Sequence, residues 1–311
     1  MTGNPRLPDE TDPARSPKIS VIITAHNEGP ELQRTLRSLV DNTRDLFEVI
    51  VVDDGSGDGS CQALTNGSQV IRHNERIGVA YSRDEGSRAA RGDVLCYLDA
   101  HHRLSTGCLD RCAWLALDRN AITGPDVRDY GPLGWRQYGA TFRLCPKHRY
   151  FSAKWRAWRS LRRVSQVTAL RAPPYLLPSA LYPQLAWSRS LRGWGASEAS
   201  MAVKAFFAGI PILHIAGPLA RHRFQRKFPY ETTWDGVWCN HAIIARICFD
   251  DTTWFRYWLP RVFEPHLNEE ARAVLESPEV LAEHEQFLAR KMRTDREFWT
   301  ELARQAPPSG I

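Results

Sequence analysis

The chain has 311 residues, of which 43% are hydrophobic. This length and content allow a full buried core and exclude an intrinsically disordered protein. Lys and Arg outnumber Asp and Glu by 41 to 35, which gives a formal charge of +6 and an isoelectric point near 9.0. The charge favours an anionic partner, and a nucleotide, an acidic acceptor, nucleic acid and a lipid surface all remain open.

The N-terminal residues and the cysteines bear on the compartment. Residues 1–17 are rich in Pro and charged side chains and contain no apolar run, so we expect a flexible arm rather than a signal peptide. No segment reaches the roughly 18 to 20 apolar residues of a membrane helix. The seven cysteines include no Cys-x-x-Cys pair, which argues against a disulfide framework and a cysteine zinc site. These features predict a cytoplasmic protein whose membrane contact, where it occurs, is peripheral.

The first elements alternate between strand and helix. Residues 19–25 (ISVIITA) form an unbroken, β-rich apolar run that predicts a buried strand. Leucines at helical spacing predict a helix over 31–40, and FEVIVV at 47–52 predicts a second strand. The resulting βαβ unit implies parallel strands, and the second strand leads into Asp53 and Asp54 in a Gly/Ser-rich turn.

Three more elements extend this pattern. Residues 69–72 resemble a short strand, and 79–90 predict a helix. Residues 93–98 (DVLCYL) predict a strand that runs directly into Asp99 and His101. Because open parallel sheets bind ligands at the carboxyl ends of their strands, the first hundred residues indicate a nucleotide-binding half domain.

The composition changes after this half domain. Residues 131–164 are aromatic and basic, and Trp155, Trp158 and Leu161 recur at three-residue spacing between arginines. This spacing predicts a basic amphipathic helix or a mobile loop. The remaining pattern predicts a helix over 197–208, a strand over 212–215 and a helical C-terminal region from Trp234 onward.

Asp99 and His101 are the strongest chemical feature of the sequence. A carboxylate and an imidazole one residue apart at a strand end can converge on one divalent cation. The mixed oxygen and nitrogen pair suits Mn²⁺, with Mg²⁺ as the alternative. An isolated Asp-x-His pair more often belongs to a polar turn with solvated histidines, so the order of the surrounding motifs decides between the two.

Five motifs follow one another along the chain: TAHNE, VVDDGS, the run from NERIG to YLDAHH, GWGASEASMAVKAFFAG and RHRF. Their order resembles the GT-A glycosyltransferases, broadly family 2, and is most similar to the polypeptide N-acetylgalactosaminyltransferases. The resemblance covers roughly residues 18–226. It implies an α/β GT-A fold with a Rossmann-like nucleotide-binding half and a mixed, mostly parallel sheet. It also implies a metal-dependent glycosyltransferase that uses a UDP-sugar donor.

The resemblance assigns roles at the nucleotide. It implies that Thr24, Ala25, Asn27 and Glu28 line the nucleotide site beside the first strand. Asp53 would accept a hydrogen bond from the uracil ring, which a carboxylate at a strand end is able to do.

It also assigns the metal and its neighbours. The implied ligands are Asp99, His101 and His222, the last of these within His-x-Phe. Arg83 is the implied partner of phosphate or ribose oxygens, since a guanidinium binds both. His102 is expected to be a bystander that could substitute as a ligand.

The Gly-Trp-Gly segment departs from the family pattern. Family members carry an acidic pair at the start of the following helix, whereas this sequence has Ser197 and Glu198. Glu198 at a helix N-terminus would serve as a general base towards an acceptor hydroxyl. Trp194 would form part of the sugar or acceptor wall. Family 2 enzymes commonly invert the anomeric centre and the polypeptide transferases retain it, so the stereochemistry stays open.

We therefore expect a flexible arm over 1–17, a GT-A domain over 18–228 and a helical extension over 229–311 packed on the same domain. The predicted reaction moves an N-acetylhexosamine or hexose from UDP to a hydroxyl acceptor. A peptide or protein side chain, a small molecule and a polysaccharide precursor all remain open as that acceptor. Residues 135–163 would bind the acceptor or close over the donor.

Competing interpretations come from other classes of protein. A degenerate domain would bind the nucleotide-sugar without catalysis. The stretch KWRAWRSLRR would also suit a nucleic-acid-binding protein or a protein that binds a membrane surface. A nucleotidyltransferase is disfavoured, because the position after the first strand reads TAHNEGP and lacks a Gly-rich basic signature. The sequence makes no prediction of the oligomeric state.

Overall fold

A computed structural model describes residues 16–62, 64, 67–130, 134–145, 149–156, 158–224 and 232–305. The predicted arm falls almost wholly outside these ranges, as does the end of the predicted GT-A domain at 225–228. Among the helices of the described ranges, none is both long enough and apolar enough to cross a membrane.

The elements alternate between strand and helix in the first half of the chain and become helical in the last third. The strands are β1 Ile19–Ala25, β2 Leu46–Asp53, β3 Gln69–Arg72, β4 Val94–Asp99, β5 His102–Leu104, β6 Ile122–Asp129, β7 Arg136–Gln137, β8 Ala140–Leu144, β9 Phe151–Trp155, β10 Val164–Val167, β11 Tyr175–Pro178 and β12 Ile212–His222. The α-helices are α1 Pro30–Asn42, α2 Val79–Ala89, α3 Cys108–Arg119, α4 Tyr182–Leu185, α5 Ser197–Phe207, α6 Trp234–Cys248, α7 Asp251–Thr253, α8 Glu269–Leu275, α9 Pro278–Arg290 and α10 Asp295–Arg304, with a π-helical segment at Trp254–Phe263.

One large sheet positions the site. Its strands lie in the order β10-β12-β6-β11-β4-β1-β2-β3, and the half from β4 to β3 is parallel. In this half Thr24 pairs with Asp99 of β4, and Ala25 pairs with Asp53 of β2. The carboxyl ends of these strands therefore meet at one edge of the sheet, where open α/β folds bind their ligands.

The two faces of the sheet pack against different helices. Along β1, Val21 and Ile23 belong to the hydrophobic cluster that α1 and α3 cover, whereas Ile22 belongs to the cluster on the opposite face. Both clusters are needed because side chains alternate along a strand, and a parallel strand is buried on both sides. An unbroken apolar run such as ISVIITA is the sequence signature of this burial.

The C-terminal helices share a hydrophobic cluster with the sheet. Buried residues of α6, α9 and α10 belong to the same hydrophobic cluster as Ile22 of the sheet. Trp258 in the π-helical segment is fully buried and stacks on Trp299 of α10 with ring centroids 5.1 Å apart. The predicted helical region after Trp234 is thus present, and the α/β fold class is confirmed.

Of the two structures that the sequence left open within 131–164, the helix was wrong, whereas a loop is present at 158–163. The described part of this region contains β7 and the two-stranded sheet of β8 and β9, in which Phe142 pairs with Ala153. The alternation of buried and exposed side chains explains the difference. Phe142 and Phe151 are buried, whereas the residues that follow them, Arg143 and Ser152, are exposed. The three-residue spacing of tryptophans that suggested a helix instead begins in β9 and continues into an exposed loop.

Candidate functional site

A cleft of about 340 Å³ opens at the carboxyl ends of β1 and β4. Its volume falls within the range typical of small-molecule sites. The predicted site residues that line it are Thr24, Ala25, Glu28, Arg83, Asp99, His101, Trp194, Glu198 and His222. Asn27 and Asp53 are not among the lining residues. The structure therefore brings together most of the residues that the motif order singled out.

Asp99, His101 and His222 lie together on one side of this cleft. One ligand atom from each side chain lies within 4.8 Å of the other two. Asp99 is the last residue of β4, and His101 follows it in the turn to β5. His222 is the last residue of β12, which is distant in sequence, and it pairs with His102 of β5. Strand pairing, and not sequence proximity, thus completes the cluster.

The path of β12 decides where His222 lies. Ile215 pairs with Pro125 of β6, but the next pair joins Leu219 to Asp126, so β12 carries three extra residues at a bulge. Asp126 is fully buried and accepts hydrogen bonds from the main-chain N–H of Gly217 at 3.1 Å and from His214 Nε2 at 2.8 Å. This carboxylate fixes the bulge, and the bulge sets the position of the end of the strand.

The histidines of the cluster are oriented by carboxylates. Glu28 Oε2 lies 3.0 Å from His101 Nδ1, which leaves His101 Nε2 as the ligand nitrogen. His222 Nε2 lies 3.2 Å from Asp99 Oδ2. His222 Nδ1 is buried and has no hydrogen-bond partner among the described residues. A buried polar atom without a partner is costly, and a bound ion or water would satisfy it.

The charges around the cluster explain the pKa shifts of its members. Burial by itself would raise the pKa of Asp99, but the hydrogen bond with His222 and the charge of Arg83 lower it below its usual range. Burial likewise opposes protonation of His101, while the hydrogen bond and charge of Glu28 raise the pKa of that histidine. The cluster therefore keeps Asp99 ionised, as a metal ligand must be.

The donor set fits a divalent transition metal. Two imidazole nitrogens and one carboxylate oxygen form the mixed set that Mn²⁺ and related ions accept. Three protein ligands leave coordination positions open for oxygens of a substrate. His102 does not belong to this set, since its Nδ1 and Nε2 lie 3.1 Å and 2.9 Å from the main-chain oxygens of Asp99 and Pro173. The expectation that His102 is a bystander agrees with these contacts.

Arg83 joins Asp99 to Glu198 across the cleft. It extends from α2 and is 2% exposed. Its Nη2 donates to Asp99 Oδ1 at 3.0 Å, and its Nη1 donates to Glu198 Oε1 at 2.7 Å and to the Tyr175 hydroxyl at 2.8 Å. Burial would lower the pKa of Arg83, but the surrounding Tyr175, Glu198 and Asp99 raise it, so the guanidinium stays charged.

Glu198 lies in the first turn of α5. Its Oε1 accepts from Arg83, and its Oε2 accepts from the Ser197 hydroxyl at 2.8 Å. The carboxylate is 20% exposed and faces the cleft. Both oxygens of this carboxylate are thus held by hydrogen bonds that fix its orientation at the start of α5.

The two aspartates after β2 have different surroundings. Asp53 is fully buried, and its carboxylate accepts from the main-chain N–H of Ser56 and from Arg72. Its contact with uracil stays a prediction. Asp54 lines the cleft and accepts from the main-chain N–H groups of Ile77 and Gly78 at 2.8 Å and 2.9 Å. Asp54 thus holds the turn before α2, which lies more than twenty residues further along the chain than its own Gly/Ser-rich turn.

The loop that carries Trp194 docks on this turn. Gly193 donates its N–H to the Ile77 carbonyl at 2.9 Å and accepts from the Val79 N–H at 3.2 Å. A Cβ on Gly78 would lie 2.3 Å from the Gly193 nitrogen, so only glycine permits this approach. Trp194 is 41% exposed and borders the cleft.

Several residues of the cleft were not anticipated from the sequence. Arg76, Arg171 and Arg223 line it, and Tyr175 binds Arg83 from β11. Arg76 and Arg223 had a local signal, since Arg76 lies in the NERIG motif and Arg223 lies between His222 and Phe224 in the last motif. Arg171 and Tyr175 reach the site through the pairing of β11 with β4, which no local pattern reveals.

Comparison with known proteins agrees with this geometry. Residues 20–169 match the family model described as Glycosyl transferase family 2. The chain is 34% identical over 136 residues to a probable N-acetylgalactosaminyltransferase 6 of Caenorhabditis elegans, covering 40% of this chain and 22% of that protein. It is 35% identical over 132 residues to a probable polypeptide N-acetylgalactosaminyltransferase 8 of Homo sapiens, covering 37% of this chain and 21% of that protein. The match thus spans about a fifth of the length of these relatives.

Solved structures share the fold. GalNAc-T7 in complex with UDP, GalNAc and Mn²⁺ superposes with a TM-score of 0.71 at 19% identity, over 95% of this chain and 57% of that one. TarS of S. aureus in complex with UDP-GlcNAc gives a TM-score of 0.53 at 18% identity, over 87% and 73%. The chain therefore has the GT-A fold, and over residues 20–169 it matches Glycosyl transferase family 2 and is similar to the N-acetylgalactosaminyltransferases.

Proposed function

We propose that the chain is a metal-dependent glycosyltransferase that moves a sugar from a UDP-sugar to a hydroxyl acceptor. The observation that carries this proposal is the cluster of Asp99, His101 and His222 within the cleft at the carboxyl edge of the sheet. The similar solved structures that contain UDP with Mn²⁺, or UDP-GlcNAc, support the donor and the ion.

The residues of the cleft suit a diphosphate donor. Asp99, His101 and His222 would hold Mn²⁺, which supplies positive charge to the diphosphate and eases departure of UDP. Arg76 and Arg223 line the same cleft and add positive charge beside the phosphates. Arg83 binds Asp99 and Glu198 and would orient both carboxylates, so its first role is to position them rather than to bind the donor.

Residues at the edge of the sheet would hold the nucleoside. Thr24, Ala25 and Glu28 line the cleft beside β1, and we assign the uridine to this side. Asn27 and Asp53 lie behind this wall and would act through the turn at Ser56 and Gly57, to whose main-chain N–H groups they are bonded.

Glu198 is the proposed base towards the acceptor. It faces the cleft, and its ionised form can take the proton of an attacking hydroxyl. A peptide or protein side chain is the acceptor we favour, because the similar relatives are polypeptide transferases by name. The sugar would be an N-acetylhexosamine or a hexose, and Trp194 would border it.

The cysteines bear on where this reaction takes place. All seven are free thiols, and five of them are buried. Unpaired cysteines are typical of reducing compartments, so we also propose a cytoplasmic location. Fractionation of cells that express the tagged chain would test it, and recovery in a secreted fraction would contradict it.

Calorimetric titration tests the donor and the ion together. UDP-, GDP-, CDP- and dTDP-sugars are titrated with Mn²⁺ and with chelator, and we expect heat of binding only for UDP-sugars with Mn²⁺. Asp99→Ala should weaken Mn²⁺ binding by more than about 100-fold, beyond the effect typical of residues that only orient ligands. Asp118→Ala, in α3 away from the cleft, is the matched control. Unchanged Mn²⁺ binding by Asp99→Ala, or equal binding of all nucleotides, would refute the proposal.

A further inference from the structure

The middle of the chain has an unusual charge distribution. From Tyr130 to Ser197 there is no Asp or Glu, whereas the same stretch contains twelve Lys and Arg residues. Two of these cations are neutralised from elsewhere, Arg136 by Asp126 and Arg189 by Asp84. The net charge of the whole chain is only +6, so this stretch concentrates the positive charge of the molecule.

The most exposed apolar side chains fall in the same stretch. Among the described residues, the three large hydrophobic side chains with the greatest exposure are Leu161 at 105%, Trp158 at 84% and Trp135 at 83%. Lys154, Arg159, Arg162 and Arg163 surround Trp158 and Leu161 in sequence and are also exposed. We call residues 154–156 and 158–163 the basic segment.

The basic segment is anchored at both ends, and its first residues contact the lining of the cleft. The Arg156 N–H donates to the Gly139 carbonyl at 2.9 Å, and the Arg163 carbonyl accepts from the Ala216 N–H at 2.8 Å. The Trp155 ring lies 6.5 Å from the ring of Phe224 and 5.8 Å from the Arg171 guanidinium, and both of these residues line the cleft. The exposed part of the segment therefore projects from a fixed base at the cleft mouth.

The chemistry of the segment favours one kind of partner. A nucleic acid would stack its bases on Trp158 and bind the arginines through its phosphates, but it would leave the apolar side chain of Leu161 in water. An acidic peptide would need a concave surface, whereas these side chains project outward. An anionic bilayer suits the exposed Trp, the exposed Leu and the cations together, since Trp and Leu enter the interface while Lys and Arg bind lipid headgroups.

We propose that the chain binds anionic lipid bilayers peripherally through the basic segment. Trp158 and Leu161 insert at the interface, and Lys154, Arg159, Arg162 and Arg163 bind the headgroups. Binding to the bilayer does not depend on the proposed transferase activity. Only the consequence does: on the proposed function, the docked chain would face its cleft towards acceptors held at the membrane.

Co-sedimentation with vesicles tests this inference without donor, metal or acceptor. We expect the purified full chain to bind phosphatidylcholine vesicles that contain about 30% phosphatidylserine at about 0.1 M salt. Binding should weaken strongly at about 0.5 M salt, where charges are screened over a few ångströms. The double variant Trp158→Ser with Leu161→Ser should bind at least about tenfold more weakly, because it loses two inserting side chains.

Two further variants complete the experiment. Replacing Arg159, Arg162 and Arg163 by Gln should weaken binding by roughly fivefold for each arginine. Trp234→Ser is the matched control, since Trp234 is 77% exposed but lies at the start of α6, outside the basic segment, and its binding should be unchanged. Absence of binding to anionic vesicles, or unchanged binding by the Trp158/Leu161 variant, would overturn the proposal. Displacement from vesicles by a uridylate oligonucleotide whose own binding is weakened by Trp158→Ser alone but not by Leu161→Ser alone would reassign the surface to nucleic acid.

Discussion

Glu28 shows how single side chains act through one another in this site. It was predicted to line the nucleotide site and does border the cleft, but its carboxylate also contacts His101 Nδ1. A carboxylate behind a histidine ligand fixes the tautomer and the ring orientation. Glu28 is thus well placed to act as a positioning residue for the proposed metal.

Replacing Glu28 by Gln should weaken Mn²⁺ binding by about 10- to 100-fold, because the His101 ring loses its charged partner. Calorimetric titration of Mn²⁺ measures the change, and the thermal unfolding midpoint should stay close to that of the parent chain. Glu75→Gln, at an exposed position, provides the control. Equal Mn²⁺ affinity for Glu28→Gln and the parent chain would remove this role.

Arg83 lies between two carboxylates in a buried setting. Arg83→Met should lower the free energy of unfolding by about 3 kcal/mol or more, because Asp99 and Glu198 lose their shared counter-charge. Arg88→Met, whose side chain is 60% exposed beside Asp84, should cost less than about 1 kcal/mol. Urea denaturation compares the two variants. A midpoint unchanged by Arg83→Met would contradict the bridging role.

The sequence predicted the site residues unevenly, for a physical reason. Asp99 and His101 follow one apolar strand, so a local pattern was enough to bring them forward. His222 is 121 positions beyond His101, and only the resemblance of motifs indicated it. The contact of Tyr175 with Arg83 could not be predicted, because it depends on the antiparallel insertion of β11 between β4 and β6.

At the scale of elements, the close approach of two loops shapes the side of the cleft that Gly193 and Trp194 line. The turn before α2 and the loop before α5 meet where Gly78 pairs with Gly193. Gly78 has φ of +135°, and Asp54 binds its N–H. This contact holds Trp194 against the cleft without any side chain between the two loops.

Gly78→Ala should destabilise the chain by more than about 1 kcal/mol, because the new Cβ would meet the Gly193 main chain and the backbone would be strained. It should also weaken donor binding, since the Trp194 loop must move. Gly57→Ala is the matched control for thermal unfolding, as a Cβ there meets nothing within 4 Å. Thermal unfolding and UDP-sugar titration measure both effects, and parent-like values for Gly78→Ala would refute this reasoning.

The elements of the parallel half could be predicted almost to the residue. The predicted strands at 19–25 and 69–72 match β1 and β3, because their apolar runs end at clear turn residues. The strand predicted at 212–215 continues to His222 in the structure. The prediction stopped too early because Gly217 and Pro218 look like a break in the sequence. The β8 and β9 strands were missed because tryptophans and arginines at a spacing of three obscured their alternation.

At the scale of the whole molecule, the helical C-terminal region shares its core with the sheet. Trp258 contacts Tyr150 and Phe151 next to and within β9 as well as Phe249 after α6. If residues 229–311 pack on the same domain, as predicted, the helical region and the sheet should unfold together in one cooperative transition.

Trp258→Ala should cost about 3–5 kcal/mol, because it removes a fully buried tryptophan side chain from this core. We expect a single unfolding transition in which Mn²⁺ binding and tryptophan fluorescence are lost at the same temperature. Trp234→Ala, which changes a largely exposed side chain, should shift the midpoint very little. Two separate transitions would show that the helical region folds on its own.

The bulge in β12 makes the length of that strand as important as its composition. Its three extra residues act as a spacer between the part of the strand that pairs beside Pro125 and the part that ends at His222. Loss of one residue from the spacer would shift the following register by one position, and a shift of one turns every side chain to the opposite face. Arg223 would then occupy the place of His222, so an insertion or deletion there would be far more harmful than a substitution.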